Sequence, residues 1–282
     1  MVLREKWCRK VFTRFLTSIV VLLYLTAFCG DSPTQAASKL FPVFDALSYK
    51  GKPDLTAHGM SAIRVIYEDE LWNKKGDDHE QPNIDKITRV ARTLKPGSIA
   101  CIDIECWPVN DPNPAVARAS IEKYLTVARI FKKESPLVRI GFYGVLPIRD
   151  HWRANGKKGP IGFSQWQKEN DTLKPLAKAV DYIFPSLYTL DADPQYWRVF
   201  AETNIAEARR YGKPVCPFLW PQYHEALKQL SGQYLPKTFW ELELDTCYRN
   251  ADGIVVWGGY QEQWEENAPW WVATRKFLKS IH

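Results

Sequence analysis

Residues 98–108, Ser-Ile-Ala-Cys-Ile-Asp-Ile-Glu-Cys-Trp-Pro, constrain the fold more than any other stretch. Side chains of a strand alternate between faces, so Ile99, Cys101, Asp103 and Glu105 share one side and Ala100, Ile102, Ile104 and Cys106 the other. The second side is apolar. The first begins apolar and ends in two carboxylates. Ile102 and Ile104 on that second side need a cover too, which a half-exposed strand does not supply. A parallel strand of an α/β barrel has this polarity: helices cover one face, and chemistry sits at the C-terminal mouth of the other. A buried carboxylate is costly unless it is paired or used. Asp103 and Glu105 therefore read as a catalytic pair.

Strand-like segments recur at 41–46, 62–68, 138–146, 182–188, 214–220 and 253–259. Between them run helical periodicities, such as Ile84, Ile87, Val90, Ala91 and Leu94, or Ile121, Tyr124, Leu125, Ala128 and Phe131. Further helices are expected near 165–179, 194–210, 238–249 and 268–281. Residues 72–81 read as a polar loop and 147–164 as a long one. Strand and helix alternate without a break in composition, the pattern of a parallel α/β fold. No Gly-rich nucleotide loop follows any strand. Glu105, Asp150, Tyr188, His224, Trp257 and Glu262 each follow a strand instead, which suits a barrel better than a doubly wound sheet. The expectation is a single distorted (β/α) TIM-like barrel of seven or eight strands over residues 38–282.

Residues 1–37 read as a signal peptide. Arg4, Lys6, Arg9, Lys10 and Arg14 form a basic start, residues 15–29 an apolar run, and Thr34-Gln35-Ala36 a cleavage site. The apolar run is shorter than the roughly 20 residues that span a bilayer. A secreted, periplasmic or extracellular protein is expected, touching a membrane only through this segment if it is not cleaved. Without it the formal charge falls from +6 to +3, which makes no case for nucleic acid. Cys101, Cys106, Cys216 and Cys247 then remain, either as two disulfides or as free thiols. Their spacing is not a zinc pattern, and no metal or cofactor is expected. Asn170-Asp171-Thr172 is a glycosylation sequon. The chain has 12 Trp, with aromatics at 13%, and ring faces suit the C–H faces of sugars as well as a core.

Asp103-Ile104-Glu105 followed by Trp107-Pro108 resembles the D-x-E-x-W-R-P segment of the hyaluronidase family. Gly141-Phe142-Tyr143-Gly144, Phe184-Pro185-Ser186-Leu187-Tyr188 and Gly253-Ile254-Val255-Val256-Trp257-Gly258 resemble three later strands of that family, in order. The resemblance implies a distorted seven-stranded barrel that cleaves β-linked N-acetylhexosamine polysaccharides. It implies Glu105 as general acid/base and Asp103 as the group that orients the substrate's acetamido. Tyr188 and Trp257 would contact that group, with Tyr143, Trp107 and Asp150 in the substrate site. Asp150 stands where the family's fourth-strand loop carries a tyrosine, and the arginine of W-R-P is absent.

Two carboxylates at i and i+2 of a strand point the same way rather than flank a bond, which suits an acid plus an orienting group. Burial beside Asp103 is expected to keep Glu105 protonated. A conventional retaining hydrolase would need a nucleophile from Asp45 or Glu262. A carbohydrate-binding barrel without turnover is the third reading. The expected partner is a polysaccharide, and the expected state a monomer.

Overall fold

The computed structural model describes residues 40–72 and 79–281. The expected signal peptide and residues 73–78 of the polar loop lie outside the described residues. The chain runs through β1 (Val43–Leu47), β2 (Ser61–Ala62), β3 (Arg64–Ile66), α1 (Glu68–Leu71) and α2 (Ile84–Arg92). It continues through β4 (Ile99–Ile102), α3 (Pro114–Glu134), β5 (Arg139–Phe142), α4 (His151–Ala154), α5 (Gly159–Thr172) and α6 (Lys174–Ala179). The remainder is α7 (Pro194–Arg209), β6 (Phe218–Leu219), α8 (Lys237–Asn250), β7 (Ile254–Gly258) and α9 (Pro269–Ile281).

The named strands pair in parallel throughout, in the orders β2-β1-β7-β6 and β3-β4-β5. Among the described residues no continuous ladder closes the barrel. The expected second strand breaks at Ile63, with β2 pairing to β1 and β3 to β4. The expected fifth strand makes only isolated bridges, Tyr143↔Phe184 toward β5 and Ser186↔Phe218 toward β6. Pro185 and Pro217 explain this seam, because neither has an N–H to give a ladder. Gly141 lets β5 approach it: a Cβ there would lie 2.5 Å from the Tyr182 carbonyl oxygen and 2.7 Å from the Phe184 ring. The pairings thus run round seven strand positions, a distorted TIM-like α/β barrel.

Alternation sorts the side chains into two cores. Phe44, Val65, Ile99, Cys101, Phe218 and Val255 fill the barrel interior, with Ala46 and Trp257 packed on them. Val43, Leu47, Ala100, Ile102, Ile254 and Val256 face the helices. Most tryptophans serve packing: Trp72, Trp107, Trp166, Trp197, Trp240, Trp270 and Trp271 are fully buried. The high aromatic content is therefore chiefly a property of the core.

Two local expectations change. Residues 147–164 are not one long loop. The Asp150 side chain caps α4, and α5 begins at Gly159 with Pro160 in its first turn, where a missing N–H costs nothing. Glu68 ends no strand but begins α1. Cys101, Cys106, Cys216 and Cys247 are free thiols, Cys106 exposed and the others buried. The sequon is unsuited to glycosylation, since Asn170 is fully buried and its Oδ1 accepts the Ile148 N–H at 2.8 Å. Among the described residues no helix is long and apolar enough to cross a membrane.

Candidate active site

The strand register builds the site. Ile66 and Phe142 both stand opposite Ile102. The next residues, Tyr67, Asp103 and Tyr143, therefore meet at the C-terminal mouth. Asp103 N–H donates to the Ile66 carbonyl at 2.8 Å, and Tyr143 N–H to that of Ile102 at 3.0 Å. On the far side Val256 lies opposite Leu219 and Asp45, so the residues after them, Trp220 and Trp257, reach the same mouth. Tyr188 closes the arc: its ring centre lies 5.8 Å from Tyr143, 5.6 Å from Trp220 and 5.6 Å from Trp257. Trp257 Nε1 donates to the Tyr67 hydroxyl at 3.0 Å, and the hydroxyls of Tyr143 and Ser186 share a hydrogen bond at 3.0 Å. The result is an aromatic wall beside Asp103.

The turn that carries Glu105 is held residue by residue. One oxygen of Glu68 accepts the N–H groups of Glu105 at 2.7 Å and Cys106 at 3.1 Å. The Tyr124 hydroxyl donates to the Ile104 carbonyl at 2.7 Å, and Trp107 Nε1 donates to the His79 carbonyl at 2.7 Å. Glu105 itself points outward, its side chain 56% exposed, with Arg149 Nη2 at 3.3 Å from its carboxylate.

Burial consequently falls on the other member of the pair. The Asp103 carboxyl is pushed up from 3.8 to about 7, first by desolvation, then by the charges of Glu105 and Glu68, with Arg149 opposing. The expectation that Glu105 is the buried carboxyl is corrected: the strand ends at Ile102, Asp103 still faces the interior, and Glu105 lies beyond on the turn. The Tyr143 and Tyr188 hydroxyls are raised by burial and stay neutral. Burial and Arg149 lower His151 to about 4 and also lower His224.

Tyr143, Tyr188 and Trp257 are thus brought together with the carboxylate pair. Asp150 is not, while Trp107, though buried, lines one cleft with Glu105, Tyr143 and Arg149. Both Asp150 oxygens are occupied, one by the N–H groups of Trp152 and Arg153 and the other by Arg153 Nε at 2.6 Å. Trp107 is only 2% exposed, wedged between Trp72 and Tyr124. Asp45 shares the outward face of β1 with Val43 and Leu47 and pairs with Lys52 at 2.5 Å. Glu262 accepts from Tyr234 at 2.7 Å and Gln222 at 3.1 Å. Tyr67, Glu68 and Trp220 belong to the site without having been singled out from sequence. Their signal was available: Tyr67 and Trp220 directly follow β3 and β6 as Asp103 follows β4, and Glu68 comes one residue later. One further group, Glu68, His79 and Cys106, brings metal-ligating atoms within 4.8 Å of one another.

A parallel barrel with a carboxylate pair and an aromatic wall at its C-terminal mouth defines the class. The chain carries a hyaluronidase-like fold. It is similar to bee venom hyaluronidase, with a TM-score of 0.59 and 15% identity over 85% of this chain and 97% of that one. A second structure of that enzyme, in complex with a hyaluronic acid tetramer, gives 0.59 and 14% over 86% and 96%. No protein-family model matches the chain. No curated protein matches it either.

Proposed function

We propose that the protein is a glycoside hydrolase, exported by residues 1–37, that cleaves a β-linked N-acetylhexosamine-containing polysaccharide by substrate-assisted acid/base catalysis. The observation that carries this is the Asp103–Glu105 pair, with its buried member holding a proton near neutral pH. The acetamido oxygen of the bound sugar attacks its own anomeric carbon, and the glycosidic oxygen leaves with a proton from Glu105. The acetamido nitrogen becomes positively charged in the oxazoline-type intermediate. Asp103 meets that charge once its own proton has passed to Glu105, so one proton serves two carboxylates in turn. Water then opens the intermediate and returns a proton to Glu105.

Three features support a nucleophile supplied by the substrate. Asp45 faces the helices and is paired with Lys52. Both oxygens of Glu262 accept hydrogen bonds. Asp103, just past the end of β4, and Glu105, on the turn after it, are two residues apart in the chain, which suits an acid plus an orienting group rather than an acid plus a nucleophile. The half-buried Trp257 and Trp220 offer faces for sugar C–H groups and an acetamido methyl. The hyaluronic acid tetramer bound by an enzyme of this fold supports a polysaccharide as ligand.

The test is a reducing-end assay on a polysaccharide panel, with a thiazoline analogue of the intermediate as inhibitor. N-acetylated substrates are expected to turn over, their de-acetylated forms not, and the thiazoline to inhibit. A covalent glycosyl ester on any carboxylate, seen by mass spectrometry, would overturn the mechanism. Tight binding without new reducing ends on any substrate would favour a carbohydrate-binding barrel.

A further inference from the structure

Glu68, His79 and Cys106 come from three separate places: the first residue of α1, the segment before α2 and the turn after β4. We propose that these three side chains form a binding site for a divalent transition ion of the zinc class, set beside the reacting carboxylates rather than among them. They offer one carboxylate oxygen, one imidazole nitrogen and one thiolate sulfur, with their ligand atoms within 4.8 Å of one another. That donor set is the one zinc and its neighbours prefer, whereas magnesium and calcium take oxygen alone. Zinc bonds of about 2.0–2.3 Å place tetrahedral ligand atoms closer than this, so the side chains must swing inward. His79 and Cys106 are exposed, which leaves space for that movement.

The backbone beneath them is already fixed. The Glu68 carboxylate accepts the Glu105 and Cys106 N–H groups at 2.7 and 3.1 Å. The His79 carbonyl accepts Trp107 Nε1 at 2.7 Å, and the His79 ring stacks on Trp72 with centres 5.0 Å apart. The charge balance also favours a cation. The Glu68 carboxylate is met by neutral backbone N–H groups, and among the described residues no ion pair involves it. An ion would take the place of the thiol proton and tie the turn that bears Glu105 to α1 and to the segment before α2.

Zinc titration of the full chain by calorimetry and thermal unfolding tests this, with cobalt as a spectroscopic probe. The wild type is expected to bind one zinc ion per chain, to melt at higher temperature with zinc but not with magnesium, and to show a thiolate-to-cobalt charge-transfer band. Cys106→Ser and His79→Ala are expected to weaken zinc by more than the roughly 10–100-fold that loss of an outer partner costs. Cys106→Ser should also lose the band. Failure of the wild type to bind zinc, or undiminished binding by both folded variants, would overturn the proposal. None of these readouts depends on hydrolysis.

Discussion

Asp103→Asn separates what the buried carboxyl does for the reaction from what it costs the fold. In the unfolded chain this group titrates near 3.8, and in the folded protein near 7. Between those values the folded state holds the extra proton, so stability falls as pH rises through the window and stays low above it. At about 1.4 kcal/mol for each tenfold change in acidity, the loss at pH 8 is about 4 kcal/mol. Asparagine has nearly the same shape and never ionises. The variant is therefore expected to match the wild type near pH 4 and to exceed it at about pH 8. For a domain of this size, at about 2–4 °C per kcal/mol, the gap is on the order of 10 °C. Hydrolysis should fall by roughly 10²–10³ at the same time, the scale for one preorganised electrostatic contact. Thermal unfolding at about pH 4, 6 and 8, with turnover measured on the same preparations, checks both. A variant no more stable than the wild type at pH 8, or a gap that does not change with pH, would refute the burial argument.

Glu105→Gln is expected to reduce turnover by at least roughly 10² while leaving the melting temperature unchanged, because its side chain is 56% exposed; substantial turnover in the folded variant would remove Glu105 from the reaction. Trp257→Ala should weaken oligosaccharide affinity more than it lowers stability, as the ring is half-buried at the mouth; a large melting-temperature drop with intact affinity would assign it to the core. Asp150→Ala should cost about 1 kcal/mol of stability through the lost helix cap, measured by denaturant unfolding, with affinity for the polysaccharide unchanged. A selective loss of affinity there would return Asp150 to the substrate site.

Much of the barrel and half of the site were legible in the sequence because both follow from local periodicity. The two-residue alternation along 99–105 put Asp103 on the face of Cys101, and the same rule put Trp257 on the face of Val255. Each strand position and the longer helices could be read in the same way. The chemistry of the strand ends is local too, since Asp103 and Glu105 are two residues apart. Burial is not local. Which carboxyl is desolvated depends on where β4 stops and on how Tyr67, Tyr143 and Tyr188 close around it, so only the tertiary structure assigned the raised carboxyl to Asp103. Asp150 looked like a site residue through the resemblance. Its oxygens are committed to α4 and Arg153, contacts that no spacing reveals. Glu68, His79 and Cys106 lie too far apart in sequence to form a motif, and they meet because parallel strands deliver every C-terminal end to one mouth.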